Sequence, residues 1–141
     1  MKNMIVSQND LFAAFKSIQA AIRVAELGAK IFIDPGIYQE SIILDRDIEL
    51  VGNGAPEDII VQSHEVSCIS IDTIAVKVSS ITFQGLGEAN QYGLVIHNSE
   101  LILRTGIFSS TGESVFLEAE NRISVFEKSL FHNSKWGELH Q

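Results

Sequence analysis

Basic residues are scarce. Ten Lys and Arg stand against eighteen Asp and Glu, a net charge of −8. That sign repels phosphate backbones and anionic lipid, and no Lys/Arg cluster offsets it, so neither nucleic acid nor a membrane is expected as a partner. A polyanionic sugar is disfavoured too, unless a cation bridges the charges. Cysteine is nearly absent. Cys68 stands alone, so no intrachain disulfide and no cysteine-based zinc site can form. It sits in Ser67-Cys68-Ile69-Ser70-Ile71, where alternation points it to one face, and a buried, inert thiol is expected because free Cys packs as a small hydrophobe. The only prolines, Pro35 and Pro56, fall at turns. No apolar run approaches the ~20 residues needed to cross a bilayer. The start, Met1-Lys2-Asn3-Met4-Ile5-Val6, lacks the apolar core of a signal peptide. The expected location is therefore the cytoplasm.

What is present is enough apolar material for one core: 45% of 141 residues. Leu11, Phe15, Ile18, Ile22 and Ala25 recur at helical steps. They predict an amphipathic helix over 9–28, capped by Asn9 or Asp10 and ended at Gly28. A short strand at Met4-Ile5-Val6-Ser7 precedes it. After Gly28 the pattern becomes short β-type runs separated by turns. These include Ile31-Phe32-Ile33, Ile42-Ile43-Leu44, Ile59-Ile60-Val61 and Leu101-Ile102-Leu103.

The runs repeat. Three stretches close on Phe83, Phe108 and Phe131, at intervals of 108 − 83 = 25 and 131 − 108 = 23. The strands that precede the last two align Leu94 with Phe116, a step of 116 − 94 = 22. A unit of this length carrying two or three short strands predicts a solenoid, because one coil cannot bury its inward side chains alone. The three phenylalanines are expected to stack. A β-sandwich would need tight hairpins, and Asn53-Gly54 is the one candidate, followed by too long a break at Ala55-Pro56-Glu57-Asp58. Leucine-rich repeats share the period but need a leucine ladder that is not seen. The predicted fold is all-β: a right-handed parallel β-helix of about five coils, in one domain over 1–141 (helix 9–28, coils 29–141). It could equally be part of a longer protein.

Three segments then carry a resemblance. Ser17-Ile18-Gln19-Ala20-Ala21-Ile22, Asp34-Pro35-Gly36-Ile37-Tyr38-Gln39-Glu40 and Leu50-Val51-Gly52-Asn53-Gly54 resemble, in order and spacing, the N-terminal part of pectin methylesterase-like and pectin-lyase-like β-helices. The resemblance covers residues 17 to 54. It implies a helix plugging the N-terminal end of the solenoid. It also implies scaffold roles for Gly36 (turn), Tyr38 (packed aromatic) and Glu40 (a carboxylate tying coils together). The start is similar as well to bacterial β-helix modules fused to other domains, some of them AAA-type ATPases, although no ATPase motif is present. The aspartate, arginine and glutamine motifs that the esterases carry on later coils are not matched. Nor are the aspartate clusters of pectate lyases or the polygalacturonase motifs.

No complete catalytic, cofactor or metal constellation emerges. His97-Asn98-Ser99 and His132-Asn133-Ser134 are the most site-like pieces. They end different strand types, and Asn and Ser at solenoid corners commonly bond the turn backbone. Tyr92 and Trp136 could stack on a sugar. Tyr92, His97 and His132 are accordingly the candidate ligand surface. The last coil has no visible cap, and an uncovered solenoid end needs a partner. Phe131, Trp136 and Leu139 are the candidate assembly surface, for self-association or for another domain. The expectation is a non-catalytic scaffold, not an enzyme and without a cofactor. The alternative is a carbohydrate-binding or carbohydrate-active module.

Overall fold

The computed structural model describes residues 3–65, 67–73 and 75–86 in full, and beyond them the strands within 92–97, 100–104, 107–109, 113–118, 122–126 and 130–131 by their backbone course. The chain opens with β1 (Asn3–Val6) and α1 (Ile18–Val24). Coils of three strands follow: β2 (Lys30–Ile33), β3 (Gly36–Gln39) and β4 (Ile42–Leu44), then β5 (Glu49–Gly52), β6 (Ile59–Ser63) and β7 (Ser67–Ile71). The third coil holds β8 (Ala75–Ser79), β9 (Thr82–Gly85) and β10 (Tyr92–His97), and the fourth β11 (Glu100–Arg104), β12 (Ile107–Ser109) and β13 (Glu113–Glu118). A fifth begins with β14 (Arg122–Phe126) and β15 (Leu130–Phe131).

From β2 onward each strand pairs with the third one along, and β1 flanks β2, always in parallel. One sheet runs β1-β2-β5-β8-β11-β14, a second β3-β6-β9-β12-β15 and a third β4-β7-β10-β13. Each turn of the chain therefore advances one strand spacing, about 4.8 Å, and the three sheets wall a single core. Its columns follow the register. Tyr38, Val61 and Phe83 stack in the second sheet, Ile31, Leu50 and Val78 in the first, and Ile42 and Ile69 in the third, all fully buried or nearly so. Phe83 pairs with Phe108 and Phe108 with Phe131, so the repeat's phenylalanines do share one register position. Cys68 is buried, as expected, although Ser67, Cys68 and Ile69 are buried in succession and the strand does not alternate strictly there.

Two expectations need correcting. Leu94 pairs with Val115, not Phe116, so that step is 115 − 94 = 21. The helix is also shorter than 9–28. It spans Ile18–Val24, with Ser17 as N-cap and Ala25 as C-cap. Leu11, counted in the apolar stripe, is 87% exposed. Phe15 has left the helical path and forms a parallel bridge to Val6. Asp10 caps only a local turn, accepting from the Phe12 amide at 2.9 Å. The periodicity misleads here because Phe15 gains a β-partner at the sheet edge, which a helix would forfeit. Gly28, at φ 79°, ends no helix; its amide bonds the Asp47 carbonyl at 2.8 Å.

Candidate functional surface

The motifs that carry the family resemblance build the end of the solenoid. Glu40, at the exit of β3, reaches the N-terminus of α1. Its carboxylate accepts from the amides of Ile18 and Gln19, both at 2.9 Å, and from Ser17 Oγ at 3.2 Å. A negative group there satisfies orphan helix donors and meets the positive end of the helix dipole. Arg46, on the loop after β4, does the converse: its guanidinium donates to the carbonyls of Arg23 and Ala25 at 3.2 and 3.1 Å. Gln19 covers the edge of the third sheet. Its amide nitrogen donates to the Ile43 carbonyl at 3.1 Å, and its oxygen accepts from the Ile43 amide at 2.7 Å. One side chain thus replaces a missing neighbouring strand. The first coil grips the helix at both ends, so Glu40 ties coil to helix rather than coil to coil.

Tyr38 stands at the centre of this end. It is fully buried, and its hydroxyl donates to the Asp34 carbonyl at 2.7 Å. Burial, reinforced by the Asp34 carboxylate, pushes its pKa up to about 12. The phenol is therefore a neutral structural donor and is not poised for proton transfer at ordinary pH.

The outer face of the second sheet is different in character. Gln39, Gln62 and Gln84 occupy one register position on β3, β6 and β9, and Ser109 on β12 continues the row. Gln62 Nε2 donates to Gln84 Oε1 at 2.7 Å. Beside this row lies a second, Ile37, Ile60 and Thr82. Uncharged amides flanked by a half-exposed apolar strip form a surface able to meet both the hydroxyls and the carbon faces of a sugar. The sequence carries a signal for it in uncharged glutamines rather than in histidines or carboxylates: the spacings 62 − 39 = 23 and 84 − 62 = 22 match the coil period.

The residues singled out from sequence do not assemble into this surface. Tyr92 and His97 both lie on β10 in the third sheet, pairing with Glu113 and Glu118 of β13. Phe131 lies on β15 in the second sheet, so the strands that precede the two His-Asn-Ser motifs belong to different sheets. His132, Trp136 and Leu139 fall outside the described residues. Among the described residues, no group of three or more His, Cys, Asp or Glu side chains is arranged to hold a metal, and no helix is long and apolar enough to cross a membrane.

No family model matches the sequence. No curated protein matches it either. Solved structures do. A pectin methylesterase from Aspergillus niger superposes with a TM-score of 0.75 at 14% identity, over 91% of this chain and 49% of that one. The pectin methylesterase PemA from Erwinia chrysanthemi gives 0.73 at 14% identity, over 89% and 50%. A pectin methylesterase in complex with a hexasaccharide gives 0.72 at 15%, over the same shares. The arrangement of three parallel sheets around one core is that of a right-handed parallel β-helix. Within that class the chain has the pectin methylesterase-like fold, and it spans about half the length of the structures it matches.

This corrects one expectation from sequence. The chain was expected not to be an enzyme because esterase motifs are missing from it, but the solved structures that share its fold are enzymes. The motif argument was weak for a physical reason. A solenoid assembles a site from side chains on successive coils, and this chain spans about half the length of those enzymes. The carbohydrate-active alternative is the better supported one.

Proposed function

We propose that the chain is a carbohydrate-active β-helix of the pectin-lyase-like kind, which receives an extended polysaccharide along the outer face of the second sheet. The supporting observation is the in-register row Gln39, Gln62 and Gln84, with its 2.7 Å amide–amide bond. That bond uses one donor of Gln62 and the acceptor of Gln84. Gln62 Oε1 and the Gln84 NH2 group are left for a ligand. A row that climbs one coil at a time suits a linear polymer better than a compact ligand.

Charge narrows the polymer. At −8 the chain repels a polyuronate whose carboxylates are free. The same backbone with its carboxyls methylated is neutral and pays no such cost, and the similar solved structures are esterases named for that substrate. The favoured ligand is therefore a methyl-esterified galacturonan.

Calorimetric titration with highly esterified and fully de-esterified galacturonan tests this. The esterified polymer should bind, and Gln62→Ala and Gln84→Ala should each weaken it by about fivefold to tenfold, the loss of one net hydrogen bond. Methanol release during the same titration would add turnover to binding. Absence of binding to either polymer, or equal binding by the Gln62→Ala, Gln84→Ala double variant, would sink the proposal.

A further inference from the structure

The N-terminal face carries a feature that sugar binding does not use. Phe12 is 95% exposed, and Leu11, Leu27, Val24 and Ile5 are exposed as well. Beneath Phe12 runs a groove of about 570 Å³, bounded by Met4 and Ile5 of β1, by the loop through Phe15, and by Val24 at the end of α1. Strand β1 is the terminal strand of its sheet. Among the described residues, its far side is paired only at Val6, where Phe15 forms a parallel bridge and its carbonyl accepts the Ser7 amide at 3.0 Å. Along Asn3, Met4 and Ile5 the groove lies where the next strand would run. An edge with unmade backbone hydrogen bonds beside exposed apolar side chains is the arrangement that receives an added strand.

We infer that this groove takes a strand from a partner protein: a short extended segment with alternating apolar side chains and at least one lysine or arginine. The charge follows from the lining. Among the described residues, Asp10 and Glu26 border the groove and no lysine or arginine does. Lys16, nearby, donates to the Asp10 backbone carbonyl. A second copy of this chain is the poorer occupant, because a twofold contact would set those carboxylates against their own copies and bring −8 against −8. The groove is remote from the glutamine row in sequence and element, so this inference stands apart from the polysaccharide reading.

The test uses the whole chain and a short capped peptide of alternating valine and lysine, titrated by fluorescence anisotropy. Two comparison peptides replace the lysines by glutamate or place a proline at the centre. Binding of the valine–lysine peptide is expected, weakened about tenfold by either peptide change and by Phe12→Ser or Glu26→Lys. Both substituted positions are exposed, so the fold should survive. Failure to bind, or equal binding of the glutamate or proline peptide, overturns the inference. So would self-association across a hundredfold concentration range that Phe12→Ser abolishes, which would give the groove to a second copy. Binding to neutral phosphatidylcholine vesicles that Phe12→Ser abolishes would give the patch to a membrane, and also overturns it.

Discussion

Gly52 and Tyr38 show how little freedom single residues have in a solenoid wall. A Cβ at Gly52 would lie 1.9 Å from the Ser80 carbonyl oxygen, which belongs to the next coil's backbone and cannot swing aside. Ser80 itself sits at φ 58°, held in the left-handed region. Gly52→Ala should therefore force two coils apart and cost about 3 kcal/mol, read as a fall in the urea midpoint without a change in slope. Tyr38→Phe leaves the packing and removes the bond to Asp34, at a cost of about 1 kcal/mol near neutral pH. At high pH the sign changes the comparison. The unfolded phenol loses its proton near pH 10, ahead of the folded one at about 12, so the native state holds the extra proton in that window. The parent's stability should fall between pH 10 and 12. That part of the fall should be missing in Tyr38→Phe, and denaturation midpoints across the window decide it.

At the scale of elements, α1 is a seven-residue helix, too short to persist alone in water. It exists because Ile18, Ala21 and Ile22 are buried and because Glu40 and Arg46 of the first coil bond its two ends beyond the Ser17 and Ala25 caps. Glu40→Gln keeps one acceptor oxygen but loses the charge, and should cost about 2 kcal/mol. Arg46→Met should cost about 1 kcal/mol through the two carbonyls it deserts. The two sites lie at opposite ends of one cooperative element. Once either cap has gone and the helix has loosened, the other has less to hold. A double-mutant cycle should thus show the combined loss to be smaller than the sum; simple additivity would mean that the helix frays at each end independently.

For the whole molecule, charge and repetition act together. The repetitive glutamine face is itself uncharged, and the effect of the net charge of −8 on a charged polymer is screened by salt. Whatever affinity a de-esterified galacturonan has for this chain should therefore rise as salt is raised from about 10 mM to 150 mM, whereas affinity for the methyl-esterified polymer should hardly change. Calorimetry at the two salt concentrations separates these outcomes. If both affinities fell with salt, attraction rather than repulsion would govern binding, and the charge argument for the esterified ligand would fail.

The amino-acid sequence by itself determined the coil. Short strands must recur at each turn, so the intervals between Phe83, Phe108 and Phe131 betray the period, and the three share one register position. The end cap was legible too, because the segments of Ile18-Gln19, Tyr38 and Glu40 keep a fixed order and spacing, even though Glu40 reaches the helix amides across 22 and 21 residues. Only the tertiary structure decided the rest. The one-residue difference that pairs Leu94 with Val115 depends on turn geometry that strand patterns do not record. The departure of Phe15 from the helical path depends on a sheet edge formed by distant β1. The glutamine row is a relation between coils: Gln39, Gln62 and Gln84 are far apart along the chain and become neighbours only because each coil returns to the same wall about 4.8 Å above the last.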